Sequence, residues 1–214
     1  MLSYNVRTYP LGYIQTNCYI ISNQKKECLI VDPGGHADAL IKELKKLQLK
    51  PLAILLTHAH FDHIGALDEV REEFAIPVYI HKAEEKWLKD PMKNGSGKYE
   101  EIPSLVCKEA DHVISSEGNM SISDFHFEMV FTPGHSPGSI TYYFQQEGFA
   151  IVGDTLFENS IGRTDLPGGN EKQLMTVIHN KLLTMPEDTI IYPGHGPATT
   201  VGNEMNSNPF LHGF

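Results

Sequence analysis

Basic residues are scarce in this chain: 17 Lys and Arg stand against 27 Asp and Glu over 214 residues, a formal charge of −10. Nucleic acid and anionic membrane surfaces both demand a basic footprint, so neither is expected as a partner, and an anionic substrate must find locally placed cations. Cysteine is scarce as well. Cys18, Cys28 and Cys107 form neither a CxxC pair nor an even set, which excludes a disulfide framework and predicts buried, reduced thiols. No apolar run approaches the length of a membrane span, and the start "MLSYNVRTYPLGY" lacks a basic segment followed by a long apolar one, so a cytoplasmic protein is expected. Low-complexity segments and linkers are missing too. Residues 1–214 therefore read as a single domain, with 41% hydrophobic content enough for a sizeable core.

What is present is a series of short apolar runs bounded by turn residues. "NCYIIS", "CLIVDPG" and "LAILLTH" read as buried strands, and between the last two "HADALIKELKKLQLK" places Ala37, Leu40, Leu44 and Leu47 on one helical face. Ile64, Leu67, Val70 and Phe74 predict a second helix over 64–74, followed by a strand at "IPVYIH". The second half reads mostly as strands, "FHFEMVFTPG", "SITYYFQ", "GFAIVGD" and "DTIIYPG", with one long helix near 170–183. Two sets of strands, each with covering helices, predict an α+β chain: a four-layer αβ/βα sandwich of two mixed sheets flanked by helices. One stretch, "DPMKNGSGKYEEIP" at 90–103, reads as loose, either a mobile surface loop or a lid over a site.

Histidines and aspartates follow four of the predicted strands. After "LAILLT" come His58, His60, Asp62 and His63; after "EMVFTPG" comes His135; after "FAIVG" comes Asp154; after "TIIYPG" comes His195. Strand ends on one edge of a layered fold converge, and imidazole nitrogen with carboxylate oxygen suits zinc, iron or manganese. Two divalent ions need roughly seven protein groups when a bridging carboxylate and a solvent complete the shells. "TPGHSPGS" and "YPGHGP" set Pro and Gly before each later histidine, which predicts a tight turn with backbone close to the metals. His36, His81, His112, His126, His179 and His212 fall outside the pattern and read as surface or structural, and Trp87 as a packing residue.

With "THAHFDH" and two PGH turns in hand, the chain resembles the metallo-β-lactamase fold superfamily and, within it, short glyoxalase II-like thioester hydrolases. The resemblance implies that His58, His60 and His135 bind one metal, that Asp62, His63 and His195 bind the other, and that Asp154 bridges them. Asp32 in "LIVDPG" resembles the family's buried aspartate that supports a ligand loop; it also reads as a turn-forming Asp before Pro. Typical glyoxalase II enzymes continue past the last histidine into a helical glutathione-binding region, whereas this chain stops soon after His195.

Two cations sharing a solvent bring its pKa near neutrality, so a metal-bound hydroxide is the expected nucleophile, with Asp62 orienting it or taking its proton. A thiolate, with a pKa of about 8.5, leaves without a proton donor, so a small-molecule thioester resembling S-lactoylglutathione is the expected substrate. Similar β-lactamases commonly carry cysteine where this chain has Asp154 and are exported, and the sequence shows neither feature. Arg163, in "ENSIGRTDLPGG" at 158–169, reads as the cation that holds a substrate carboxylate, or as a salt-bridge partner of Asp165. Two other readings stand beside the hydrolase. One is a sulfur dioxygenase with a single iron on His58, His135 and Asp154; the other is a phosphodiesterase or nuclease, which the lack of basic arms disfavours.

Overall fold

A computed structural model describes residues 4–212. The chain divides into two compact units, Met1–Ser115 with Ile122–Phe125 and Ser116–Ser121 with His126–Phe214. Among the described residues no helix is long and apolar enough to cross a membrane.

The first unit is built on one six-stranded sheet in the order β1-β2-β3-β4-β5-β6. Its elements are β1 (Asn5–Leu11), β2 (Thr16–Ser22), β3 (Glu27–Val31), α1 (Ala37–Lys46), β4 (Lys50–Leu55), α2 (Phe61–Ile64), α3 (Leu67–Phe74), β5 (Val78–His81), α4 (Pro91–Asn94) and β6 (His112–Ile114). The first three strands pair antiparallel, and β3 to β6 pair parallel, as strands joined by helical crossovers must. Leu40 and Leu44 of α1 and Leu67 and Val70 of α3 bury their apolar stripes in the same core as Ile30 of β3 and Ile54 of β4. The three cysteines are free and buried, and burial pushes the Cys28 and Cys107 thiols up to about 12.

Two expectations need correction here. The helix predicted over 64–74 is two helices, a single turn at Phe61–Ile64 and a second starting at Leu67. Apolar periodicity runs through the break because Ile64 and Leu67 are both core residues, but the Ala66 N–H leaves the helix to donate to the Pro33 carbonyl at 2.8 Å. The stretch 90–103 is also less loose than its composition suggests. Asp90 caps α4 by accepting from the Met92 and Lys93 N–H groups, and buried Asn94 donates to the Trp87 and Leu105 carbonyls and accepts from Ser96.

The second unit holds another six-stranded mixed sheet, ordered β14-β13-β10-β9-β8-β7. It comprises β7 (Gly118–Ile122), β8 (Phe125–Phe131), β9 (Ile140–Phe144), β10 (Phe149–Gly153), a small hairpin of β11 (Leu156–Phe157) and β12 (Ser160–Ile161), α5 (Glu171–Val177), β13 (Ile190–Pro193), β14 (Thr199–Thr200) and α6 (Val201–Ser207). Asn170 caps α5 by accepting from the Gln173 N–H at 2.9 Å, and the helix continues through a wider π turn, Ile178–Leu182. Leu174, Ile178 and Leu182 cover Ala150, Val152 and Ile191 of the sheet. The neighbouring strands β10 and β13 are parallel, so Asp154 and His195 follow two strands that end side by side.

Gly65 shows how tightly the loops of the first unit meet. Its φ of −64° suits any residue, yet a Cβ there would lie 2.4 Å from the Gly34 carbonyl oxygen, which is backbone and has little room to yield. Gly65→Ala is therefore expected to lower stability by about 1–3 kcal/mol, although at an open site of the same conformation it would stabilise by about 0.4–1 kcal/mol. Urea denaturation checks this; an unchanged or raised midpoint would show that the loops have space to spare.

Candidate functional site

In the first unit the candidate donors gather where β3 and β4 end. After Val31 the chain turns at Asp32, held in the left-handed region at φ 50°, and the Asp32 N–H donates to the Leu55 carbonyl at 3.2 Å. Aspartate tolerates this conformation better than most residues because its short side chain bonds locally. The Asp32 carboxylate, 1% exposed, accepts from the Thr57 N–H at 2.8 Å, from the Thr57 hydroxyl at 2.5 Å and from His63 Nδ1 at 2.8 Å. Asp32 thus stands at the turn after β3, and its carboxylate holds the loop that carries His58 and His63.

These bonds decide where the imidazole protons sit. The Thr57 hydroxyl gives its hydrogen to Asp32, so at 3.0 Å from His58 Nδ1 its oxygen accepts, and His58 carries its proton on Nδ1. His63 also donates from Nδ1, to Asp32. In both rings Nε2 is left as the basic nitrogen, the tautomer a metal ligand requires. The His58 ring centre lies 4.7 Å from that of His60 and 4.0 Å from that of His63. Asp62 and His63 share the single turn of α2, which His60 enters in extended conformation. The Asp62 Oδ2 accepts from the buried Thr16 hydroxyl at 2.6 Å and lies 3.3 Å from His63 Nε2.

The second unit brings His135, Asp154 and His195 together, again at strand ends. The Gly194 N–H donates to the Gly153 carbonyl at 2.8 Å, tying the turn after β13 to the end of β10. Asp154 Oδ2 then stands 3.6 Å from His135 Nε2 and 3.6 Å from His195 Nε2. That is beyond a good hydrogen bond, and close to the roughly 3.3 Å between two donors each about 2.0 Å from one tetrahedral ion. His135 Nδ1 donates to the Arg163 carbonyl at 2.8 Å, which again leaves Nε2 as the basic atom.

In each unit the donors fit divalent cations: they are imidazole and carboxylate, nearly all buried, with Nε2 left basic in His58 and His63 of the first unit and in His135 of the second unit's set. Arg163 serves it through the main chain. Its side chain forms a two-point ion pair with Asp165, both bonds 2.7 Å, and both side chains are well exposed. The reason expected for Gly134 shifts. At φ 143° it makes room for Leu174 at the start of α5, whose backbone a Cβ would meet at 2.4 Å.

Other residues escaped the sequence reading. Thr16 and Thr57 are ordinary strand-end threonines until their hydroxyls are placed. Gly162 lets the hairpin pass under the site, since its Cβ would fall 1.8 Å from the Asp154 carbonyl oxygen. Behind that hairpin, buried Glu204 of α6 accepts from the Asn159 N–H at 2.9 Å, the Asn208 amide at 2.8 Å and the Thr199 hydroxyl at 2.6 Å. Beside Asp62, a cleft of about 460 Å³ is lined by Tyr13, His36, Phe61, Ile102 and Leu105 among others. Of the remaining histidines, His112 stacks on Tyr79, and His179 Nδ1 donates to the Met175 carbonyl.

A family model described as the metallo-β-lactamase superfamily matches residues 11–195. "Probable metallo-hydrolase YqgX" of Bacillus subtilis is 53% identical over 208 residues, 97% of this chain and 98% of that protein. "Hydroxyacylglutathione hydrolase GloC" of Haemophilus influenzae is 35% identical over 209 residues, 97% and 98% of the two chains. Among solved structures, the BLEG-1 B3 metallo-β-lactamase has a TM-score of 0.95 at 55% identity, covering 98% of this chain and 100% of its own. TTHA1623 in a di-iron-bound form has a TM-score of 0.82 at 36% identity, covering 96% and 100%.

The hub at Asp32 is open to test. Asp32→Asn puts an amide nitrogen, which only donates, in place of the oxygen that accepts from the Thr57 hydroxyl and His63, so metal affinity is expected to fall about 10- to 100-fold. Competition with a chromophoric chelator measures it, and affinity equal to the parent's would show that the carboxylate does not set the imidazoles.

Proposed function

Because this chain belongs to the metallo-β-lactamase superfamily and carries the donors of a metallo-hydrolase, we propose that it hydrolyses a small thioester at a dinuclear centre. In this reading the seven donors His58, His60, Asp62, His63, His135, Asp154 and His195 act as one site, with Asp154 as the bridge. The observation that carries the bridge is the single oxygen, Asp154 Oδ2, flanked equally by the imidazoles of His135 and His195 at 3.6 Å. Full-length likeness to a relative named hydroxyacylglutathione hydrolase supports the thioester.

When bound, the two ions would supply Lewis acidity and a solvent nucleophile at neutral pH. Zinc is the first choice from the ligand types, and the di-iron form of TTHA1623 makes iron a direct competitor. Asp62 is the proton-handling residue. The Thr16 hydroxyl donates to its Oδ2 and fixes the carboxylate, which orients the attacking water and receives its proton. The departing thiolate then needs no acid. The cleft beside Asp62 falls within the usual size of small-molecule sites, and no Lys or Arg is among its described lining residues, so it suits the uncharged acyl side of the substrate. Charge on the thiol carrier falls to Arg163. Its exposed pair with Asp165 is worth about 0–1 kcal/mol and is exchangeable for a substrate carboxylate. A cytoplasmic setting is compatible with the three free thiols.

A second reading, hydrolysis of a β-lactam amide, is favoured by the 55% identity with BLEG-1.

Protein loaded with zinc, manganese or iron is expected to cleave S-lactoylglutathione or a related acyl-thioester, and His58→Ala or Asp154→Ala to abolish turnover. Parallel assays with a chromogenic β-lactam and with glutathione persulfide under oxygen monitoring decide the class. Turnover kept in both variants would sink the site, and oxygen uptake on one iron per chain would transfer the protein to the sulfur dioxygenases.

Arg163→Ala leaves the carbonyl that serves His135 in place and removes only the guanidinium. KM for an anionic thioester should rise about ten- to a hundredfold, or roughly 1.5–3 kcal/mol, with kcat nearly intact and a neutral thioester unaffected. Equal losses on both substrates would show that Arg163 anchors its loop through Asp165 and does not read the substrate.

A further inference from the structure

Glu84 lies just past β5, at the start of the tight turn Glu85–Lys89, and its side chain is fully buried. Burying a carboxylate costs several kcal/mol unless strong hydrogen bonds compensate, so its position calls for a reason. Glu84 Oε2 accepts from the Ala59 N–H at 2.6 Å, a short, charge-assisted bond. Ala59 is the fully buried residue between His58 and His60. The same turn touches the histidines a second time: Trp87, whose N–H donates to the Glu84 carbonyl at 2.9 Å, sets its ring 6.0 Å from that of His60.

We propose that Glu84 is a positioning residue for the His58 and His60 ligands, its buried carboxylate fixing the peptide between them. Side chains two positions apart share a face only while the backbone between them stays extended, so His58 and His60 serve one ion only if the Ala59 peptide is held. Asp32 cannot do this. It fixes His58 through Thr57 and acts at the imidazole edge, whereas Glu84 acts on the main chain one residue later. The inference rests on reading these histidines as metal ligands and adds a residue from a different element, 25 positions away from Ala59, that the HxHxDH motif does not contain.

The test compares Glu84→Gln, which keeps an accepting oxygen at the same reach, with Glu84→Leu, which fills similar space and accepts nothing, and Glu84→Asp, which keeps the charge one methylene short. Zinc affinity is measured by chelator competition, the cobalt-substituted absorption spectrum reports ligand geometry, and the melting temperature of metal-free protein reports the fold. Glu84→Leu is expected to lose about 10- to 100-fold in zinc affinity and to change its cobalt spectrum, while Glu84→Gln stays near the parent in both. A folded Glu84→Leu with parental affinity and spectrum would overturn the proposal, as would a folded Glu84→Gln that binds as weakly as Glu84→Leu. Should Glu84→Leu not fold, the other pair decides: Glu84→Asp weaker than Glu84→Gln supports positioning, and equal or tighter binding overturns it. Parent protein that binds no divalent metal would sink the functional reading and this inference together, whereas a tightly binding parent with an insensitive Glu84 sinks the inference alone.

Discussion

One buried carboxylate, that of Asp32, organises the candidate donors of the first unit. It takes three hydrogen bonds, two from Thr57 and one from His63, and through them it fixes the end of β4, the tautomer of His58 and the tautomer of His63. An ionised group can accept but not donate, so every partner must arrive with its proton facing inward, and each imidazole is left with its basic nitrogen on the far side. The left-handed backbone at Asp32 has the same cause: the chain must reverse sharply after β3 to bring the side chain under Thr57. Fold and chemistry thus meet in one residue, whose local strain is offset by bonds worth about 1.5–3 kcal/mol each.

The second unit solves the same problem with backbone. Parallel β10 and β13 end beside each other, so Asp154 and His195 are neighbours by strand pairing alone. His135 arrives from β8 and is oriented by a carbonyl, that of Arg163, with no carboxylate behind it. Carbonyls are weaker acceptors than carboxylates, and the hairpin that presents this one is correspondingly buttressed by Gly162, Glu204 and Asn208.

Much of this was legible in the sequence because the signals were short-range. The spacing of His58, His60, Asp62 and His63, the apolar run before them and the Pro-Gly turns before His135 and His195 are all local, and they led to the family to which the chain belongs. The metallo-β-lactamase fold, α+β with two mixed sheets and helices, was foreseen on the same grounds. What stayed hidden was long-range. Thr16 reaches Asp62 across 46 positions and Glu84 reaches Ala59 across 25, and a lone threonine or glutamate carries no periodicity to betray such a contact. The break at Gly65 was masked because residues on both sides of it face the same core. At 90–103, Gly, Ser and Lys disguised a network that a single buried Asn94 assembles.

The bonds that Glu204 makes have a consequence in time. Asn159, in the turn of the hairpin, waits for an acceptor 45 residues further along, and Asn208, later still, also holds the Ser160 carbonyl. During synthesis at about 5–20 residues per second, His135 and its strand emerge several seconds before the residues that brace its orienting carbonyl. The first unit can collapse around Asp32 while the chain is still growing. In the second, the hairpin leading to the Arg163 carbonyl gains its Glu204 and Asn208 bonds only once α6 has left the ribosome, so the setting that orients His135 is completed late in the life of the nascent chain.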